Sequence, residues 1–224
     1  MAVRSVKTSY ACVVSSLEPP PIIFRDDRIV VVDKPTGLLS VPGIGPEKAD
    51  CVVARLNAED PAARIVHRLD RDTSGVMILA RDAEAHRALS IQFQDRIVAK
   101  RYVAVVGGRL AESEGLIDLP IRKDLDDPPR QRIDLVHGRP SQTRWRVLSQ
   151  EADRARLELI PETGRSHQLR IHLQTIGHPI LGDDLYAPPH LRDRAERLLL
   201  HATMLTIVHP ATSAPMTFES PCPF

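Results

Sequence analysis

Apolar positions along the chain fall into two patterns. The first is the unbroken run. Residues 28–33 (RIVVVD), 76–80 (VMILA) and 101–106 (RYVAVV) are short and largely β-branched, and each reads as a strand. The first stops at Lys34-Pro35, where proline disfavours helix at the preceding residue; the third stops at Gly107-Gly108. The second pattern is strict alternation. Thr143, Trp145 and Val147 oppose Gln142, Arg144 and Arg146 within 142–148, and Ala155, Leu157 and Leu159 oppose Arg154, Arg156 and Glu158 within 154–160. A period of two predicts half-buried, antiparallel strands with one wet face. Runs at 204–208 and 217–219 predict two more strands. Helical spacing is rarer. Residues 50–57 follow an N-cap at Asp50 and stop before Pro61. Residues 82–94 set Ala85, Leu89 and Phe93 on one face. Residues 166–176 set Leu169, Leu173 and Ile176 on one face, with Ser166 as cap and Gly177 as stop. A weaker helix is expected over 192–199. Strands mixed with helices, but without regular βαβ alternation, predict an α+β fold.

Pro19-Pro20-Pro21 can join neither a helix nor a central strand, so 1–21 reads as a tail and 22–224 as one domain. A chain of 224 residues is long enough for one sizeable core. No apolar run approaches the ~20 residues of a membrane helix, and the first segment lacks a signal-peptide pattern. Cys12, Cys51 and Cys222 are far apart and form no CxxC pair, which fits a reducing cytoplasm. His167, His172 and His178 follow no zinc spacing, and Gly43-x-Gly45 has neither dinucleotide nor P-loop spacing. Neither metal nor cofactor is expected.

The polar residues concentrate in three places. The densest is His67-Arg68-Leu69-Asp70-Arg71-Asp72-Thr73-Ser74-Gly75, which leads into the apolar run at 76–80. If the segment is extended, Arg68 and Asp70 share a face and Leu69 points away. Two readings fit: a solvated turn closed by Asx and hydroxyl bonds, or functional groups held on a rigid strand, with Asp70 as nucleophile or base. The second is Thr163-Gly164-Arg165-Ser166-His167-Gln168-Leu169-Arg170, where Arg170 falls at the margin of the apolar helix face. The third is Lys100-Arg101-Tyr102, whose phenol can stack on a base or plug the core.

Net charge is only +1, which at first speaks against a nucleic-acid partner. Its distribution reverses that reading. Residues 64–109 carry nine basic and five acidic side chains, residues 130–172 the same, and residues 110–127 two basic and six acidic. Both basic blocks contain the polar clusters. Of 30 basic residues, 25 are arginine, which suits phosphate contacts and stacking but also follows from a biased base composition.

Taken in order, these segments resemble the RluA-type pseudouridine synthases. His67–Gly75 is similar to the family's HRLDxxTSG signature, Gly164–Arg170 to GRxHQ(L/I)R, and Lys100-Arg101-Tyr102 to K-x-Y. Asp33-Lys34-Pro35-Thr36-Gly37-Leu38 is similar to (D/N)KPxGL. His178-Pro179-Ile180-Leu181-Gly182-Asp183 and Leu199-Leu200-His201-Ala202 resemble its C-terminal segments. The resemblance implies a bent, mostly antiparallel mixed sheet, flanked by helices and loops, around a central RNA-binding cleft. It implies isomerisation of uridine to pseudouridine without metal or cofactor. It gives Asp70 the catalytic role, Tyr102 the stacking wall, and Arg170 a pairing with Asp70. Arg68 would enter the RNA stack, and His67, Arg71, Thr73, Arg165 and His167 would join it in RNA binding. Many members carry an accessory RNA-binding domain; 21 residues are too few for one, so the chain resembles the family's short branch. That branch implies stem-loops of tRNA, of 23S rRNA or of both as substrates, and a monomer is expected.

Overall fold

The structure, a computed structural model, describes residues 18–224. Most of the expected tail, residues 1–17, lies outside the described residues. Twelve strands are described: β1 (Ile22–Arg25), β2 (Ile29–Lys34), β3 (Arg64–Ile65), β4 (Ser74–Ala80), β5 (Ala99–Gly107), β6 (Glu114–Asp118), β7 (Ile121–Lys123), β8 (Gln131–Ile133), β9 (Gln142–Gln150), β10 (Arg154–Pro161), β11 (Leu200–Val208) and β12 (Pro215–Glu219). The helices are α1 (Val52–Glu59), α2 (Ala83–Gln94), α3 (Gln168–Thr175) and α4 (Pro189–Arg192). One ten-stranded sheet runs β1-β2-β4-β11-β5-β10-β9-β6, with β12 on β11 and β3 on β4. Its pairs are antiparallel except β4–β11. β7 and β8 form a separate hairpin.

The two sequence patterns have one cause. β2 and β4 are covered on both faces. Val30, Val32, Met77 and Leu79 meet Leu56 of α1 on one side; Val31, Ile78 and Ala80 meet Ala85 and Leu89 of α2 on the other. Strands buried twice have no polar face to alternate with. β9 and β10 cover only one side. Ala155, Leu157 and Leu159 pack with Leu169 and Leu173 of α3, while Arg154 and Ile160 remain exposed.

Three local expectations are corrected. The cap of α1 is the Cys51 thiol, which accepts from the Ala54 N–H at 3.3 Å, and Asp50 instead holds Arg55. Ser166 caps nothing: α3 starts from His167, whose backbone is left-handed at φ 53. The span 192–199 is not a helix; the helical turn before it, α4, ends at Arg192. The backbone of Leu199 donates to Leu181 O at 3.0 Å and accepts from Val105 N at 3.1 Å, so its groups serve the sheet. The stop at Gly177 is as expected, with φ 86.

Candidate active site

Asp70 sits on a loop whose backbone is held by the segment after β2. Lys34 is fully buried, and its ammonium donates to the carbonyls of Pro35 (2.9 Å), Leu38 (2.6 Å) and Arg71 (2.8 Å). Three donors meet three acceptors, so the buried charge is hydrogen-bonded throughout. Burial pushes Lys34 down to about 7, against the pull of Asp72 and Asp70. Thr36 Oγ1 donates to Asp72 O at 2.8 Å. Ser40 Oγ donates to Leu69 O at 2.7 Å and accepts from Leu69 N at 3.1 Å. The backbone is thus pinned on both sides of Asp70. The extended segment alternates as its spacing predicts. Leu69 enters the core, while Arg68 and Asp70 face a cavity of about 170 Å³. That is smaller than the ~300–1,000 Å³ of sites for drug-sized ligands and suits a single ring.

Tyr102 of β5, Thr73, His167 and Arg170 line the same cavity. The Asp70 carboxylate has no hydrogen bond or ion pair among the described residues, although its charge reaches Tyr102, His167 and Arg170. Burial raises the Tyr102 phenol well above its usual range and Asp70 raises it further, so it is neutral. Arg170 is 3% exposed. Its hydrogen bonds go not to Asp70 but to Asp183, Nε–Oδ2 2.8 Å and Nη2–Oδ1 2.5 Å, and to Asp184 at 2.9 Å. The expected direct pairing with Asp70 is therefore replaced by a fork on Asp183. The fully buried Asp183 carboxylate also accepts from the N–H groups of Leu185 (2.9 Å) and Tyr186 (3.0 Å). Burial would lower the Arg170 guanidinium, but Asp183, Asp70 and Asp184 outweigh it and its charge is secured. Its other side rests on the Tyr186 ring, 5.3 Å from the centroid.

The turn before α3 is closed by Gln168. Its side-chain oxygen accepts from Arg165 N (3.0 Å) and Thr163 Oγ1 (2.7 Å); its amide donates to Gln142 O (2.9 Å). His167 Nδ1 meets the Tyr186 hydroxyl at 2.9 Å, and that hydroxyl accepts from Gln131 N at 2.7 Å. Arg165 lines the cavity beside His167.

Two expected RNA-contacting residues are otherwise engaged. His67 Nε2 accepts from Ile78 N at 3.1 Å and its ring stacks on Phe93 at 4.5 Å, fixing the loop to β4. Burial, then Lys100, pushes it down to about 3, so it is neutral. Arg71 points away from the cavity and binds Asp72 (2.9 Å) and Asp184 (3.6 Å). Lys34, Asp183, Tyr186 and Gln168 were not singled out from sequence. A lysine ending a strand of four consecutive β-branched residues is a signal; Asp183 carries none beyond its motif, and Tyr186 carries none. Among the described residues no cluster of three His, Cys, Asp or Glu side chains is placed to hold a metal, and no helix is long and apolar enough to cross a membrane.

The family described as RNA pseudouridylate synthase matches residues 28–175, most of the sheet and the whole Asp70 loop. This chain belongs to that family. It is an RNA-modifying isomerase. The dual-specificity RNA pseudouridine synthase RluA of Escherichia coli K12 is 50% identical over 204 residues, covering 91% of this chain and 93% of that protein. The enzyme of the same name from Vibrio cholerae is 44% identical over 91% of this chain and 83% of its own. Among solved structures, human RNA pseudouridylate synthase domain containing 1 superposes with a TM-score of 0.77 at 28% identity, covering 100% of this chain and 87% of that one. Human domain containing 4 gives 0.74 at 27%, covering 96% and 92%.

Proposed function

We propose that the domain at 22–224 isomerises specific uridines in stem-loops of tRNA and 23S rRNA, with Asp70 as the catalytic residue. The observation that carries this reading is the unpartnered Asp70 carboxylate, set in a ring-sized cavity with the neutral Tyr102 phenol and the fixed Arg170 cation. A uridine must leave its stack to enter such a cavity. Arg68, on the same side of the loop, is placed to fill the gap it leaves. The Asp70 carboxylate acts at the ribose as the N1–C1′ bond breaks. Tyr102 holds the freed ring while it turns to present C5, and C5–C1′ forms. A proton then leaves C5 and one is gained at N1, so the reaction is redox-neutral and uses only a carboxylate, a stacking wall and a proton acceptor. Arg165 and His167, and the buried Thr73 beside them, line this cavity and meet the RNA there, and the protein works as a cytoplasmic monomer without metal or cofactor. Incubation with unmodified tRNA and 23S rRNA transcripts, followed by pseudouridine mapping, tests this. Asp70→Asn is expected to abolish product while RNA binding persists. Product formation by the variant would remove Asp70 from its role.

A further inference from the structure

Behind Arg68, Tyr102 and Arg165, the base cavity shares its wall with a second cavity of about 450 Å³. Four cations line it: Arg68, Arg96, Lys100 and Arg165. Its one acid, Glu162, is taken by Arg144 at 2.5 Å. None of the four cations has a carboxylate partner among the described residues. On the neighbouring strands, by contrast, Arg101, Arg144 and Arg146 are all ion-paired. Arg165 Nε is buried without a hydrogen-bond partner. The Lys100 ammonium is disfavoured by burial and then by Arg96. Like charges gathered without counter-charge are costly unless an anion completes them.

Arg96 adds an independent observation. It follows the C-terminus of α2 with φ 60, a left-handed backbone that glycine adopts most cheaply. An arginine kept there at a cost in stability points to a use for its side chain.

We infer that this second cavity is a phosphate subsite, anchored by Arg96 and Lys100, for the phosphodiester adjoining the uridine whose base enters the Asp70 cavity. The inference rests on the RNA-modifying reading of that cavity. With a nucleotide base seated next door, the nearest anion is that nucleotide's own backbone. A lysine point charge and arginine forks are the groups that phosphate contacts draw on.

The modified uridine is first mapped with the unaltered protein. Stem-loops carrying it are then made with a single neutral methylphosphonate at each flanking position. One of them is expected to weaken binding about tenfold, and to have no further effect on Arg96→Gly/Lys100→Gln. Arg96→Gly alone keeps or raises the melting temperature. It nonetheless weakens tRNA-transcript binding and lowers the slope of log affinity on log salt by about 0.7–0.9. Arg87→Ala, on the exposed face of α2 and outside both cavities, leaves the slope unchanged. If every flanking methylphosphonate is tolerated, or the slope is unmoved in Arg96→Gly while pseudouridine still forms, the subsite is wrong and the catalytic reading stands. If the unaltered protein forms no pseudouridine in any transcript, the catalytic reading falls. The salt slope needs binding alone and then reports on the subsite separately.

Discussion

A lysine with no exposed surface is the residue on which the Asp70 loop hangs. Lys34 spends all three donors on main-chain carbonyls, one of them belonging to the residue after Asp70. Replacing it by methionine keeps the bulk but removes the donor from three carbonyls, of which the Leu38 O bond is buried and the other two part-buried; an unsatisfied buried acceptor costs about 1–3 kcal/mol. Lys34→Met is therefore expected to lose about 1–3 kcal/mol of stability in denaturant titrations, and pseudouridine formation should fall further than RNA affinity. An unchanged unfolding midpoint would show that water replaces the ammonium. At this scale the sequence was informative about chemistry and poor about partners. The motifs brought Asp70, Tyr102 and Arg170 to one place. Asp183, as the partner of Arg170, lies 13 positions along the chain in a turn, and no local spacing links a helix residue to a turn beyond its end.

Among the elements, the register of β4 against β11 decides where the Asp70 loop ends. Gly75 pairs with Ala202 at φ 112, and a Cβ there would lie 2.2 Å from Ala202 O. The strands cannot approach with any side chain in that place. Gly75→Ala should cost several kcal/mol, on the order of the ~3 kcal/mol or more seen when strain and lost pairing combine. Hydrogen exchange of the β4 and β11 amides would register the loss. The long strands were legible because periodicity reports burial: runs for strands covered twice, alternation for strands covered once. The short strands β3, β7 and β8, and the extended stretch before β11, were not. Their conformation is dictated by what they pair with, as the Leu199 hydrogen bonds show, and their own side chains carry no period.

For the whole molecule, the opposed charge blocks now have places. The acidic 110–127 stretch runs through β6, the far edge of the sheet, whereas both basic blocks contribute to the cleft. Stability should also depend on pH in a stated direction. Burial lowers His67, His167, His172 and His201 below their ordinary 6.5. Below that value the unfolded chain binds protons that the native protein refuses, so stability falls as pH drops from about 6.5. Lys34, lowered from an ordinary 10.5 to about 7, acts on the alkaline side: between those values the unfolded chain holds a proton that the native protein gives up, so stability also falls as pH drops towards about 7, and this contribution levels off below it. Melting temperatures recorded from pH 8 to 5 should decline throughout, the Lys34 share falling above about pH 7 and the histidine share below about 6.5. A profile that is level from pH 6.5 to 5 would mean that these imidazoles accept protons while folded.

The position of β11 has a consequence for the order of synthesis. The Asp70 loop leaves from β4 and Tyr102 stands on β5, yet these two strands do not pair; β11 lies between them and bonds to both. As the chain emerges from the ribosome, both groups are made early and remain without a common support. They become one site only when residues 200–208 arrive and slot between strands made long before. A fragment that ends between Arg170 and β11 therefore carries Asp70, Tyr102 and Arg170 but lacks the strand that joins β4 to β5.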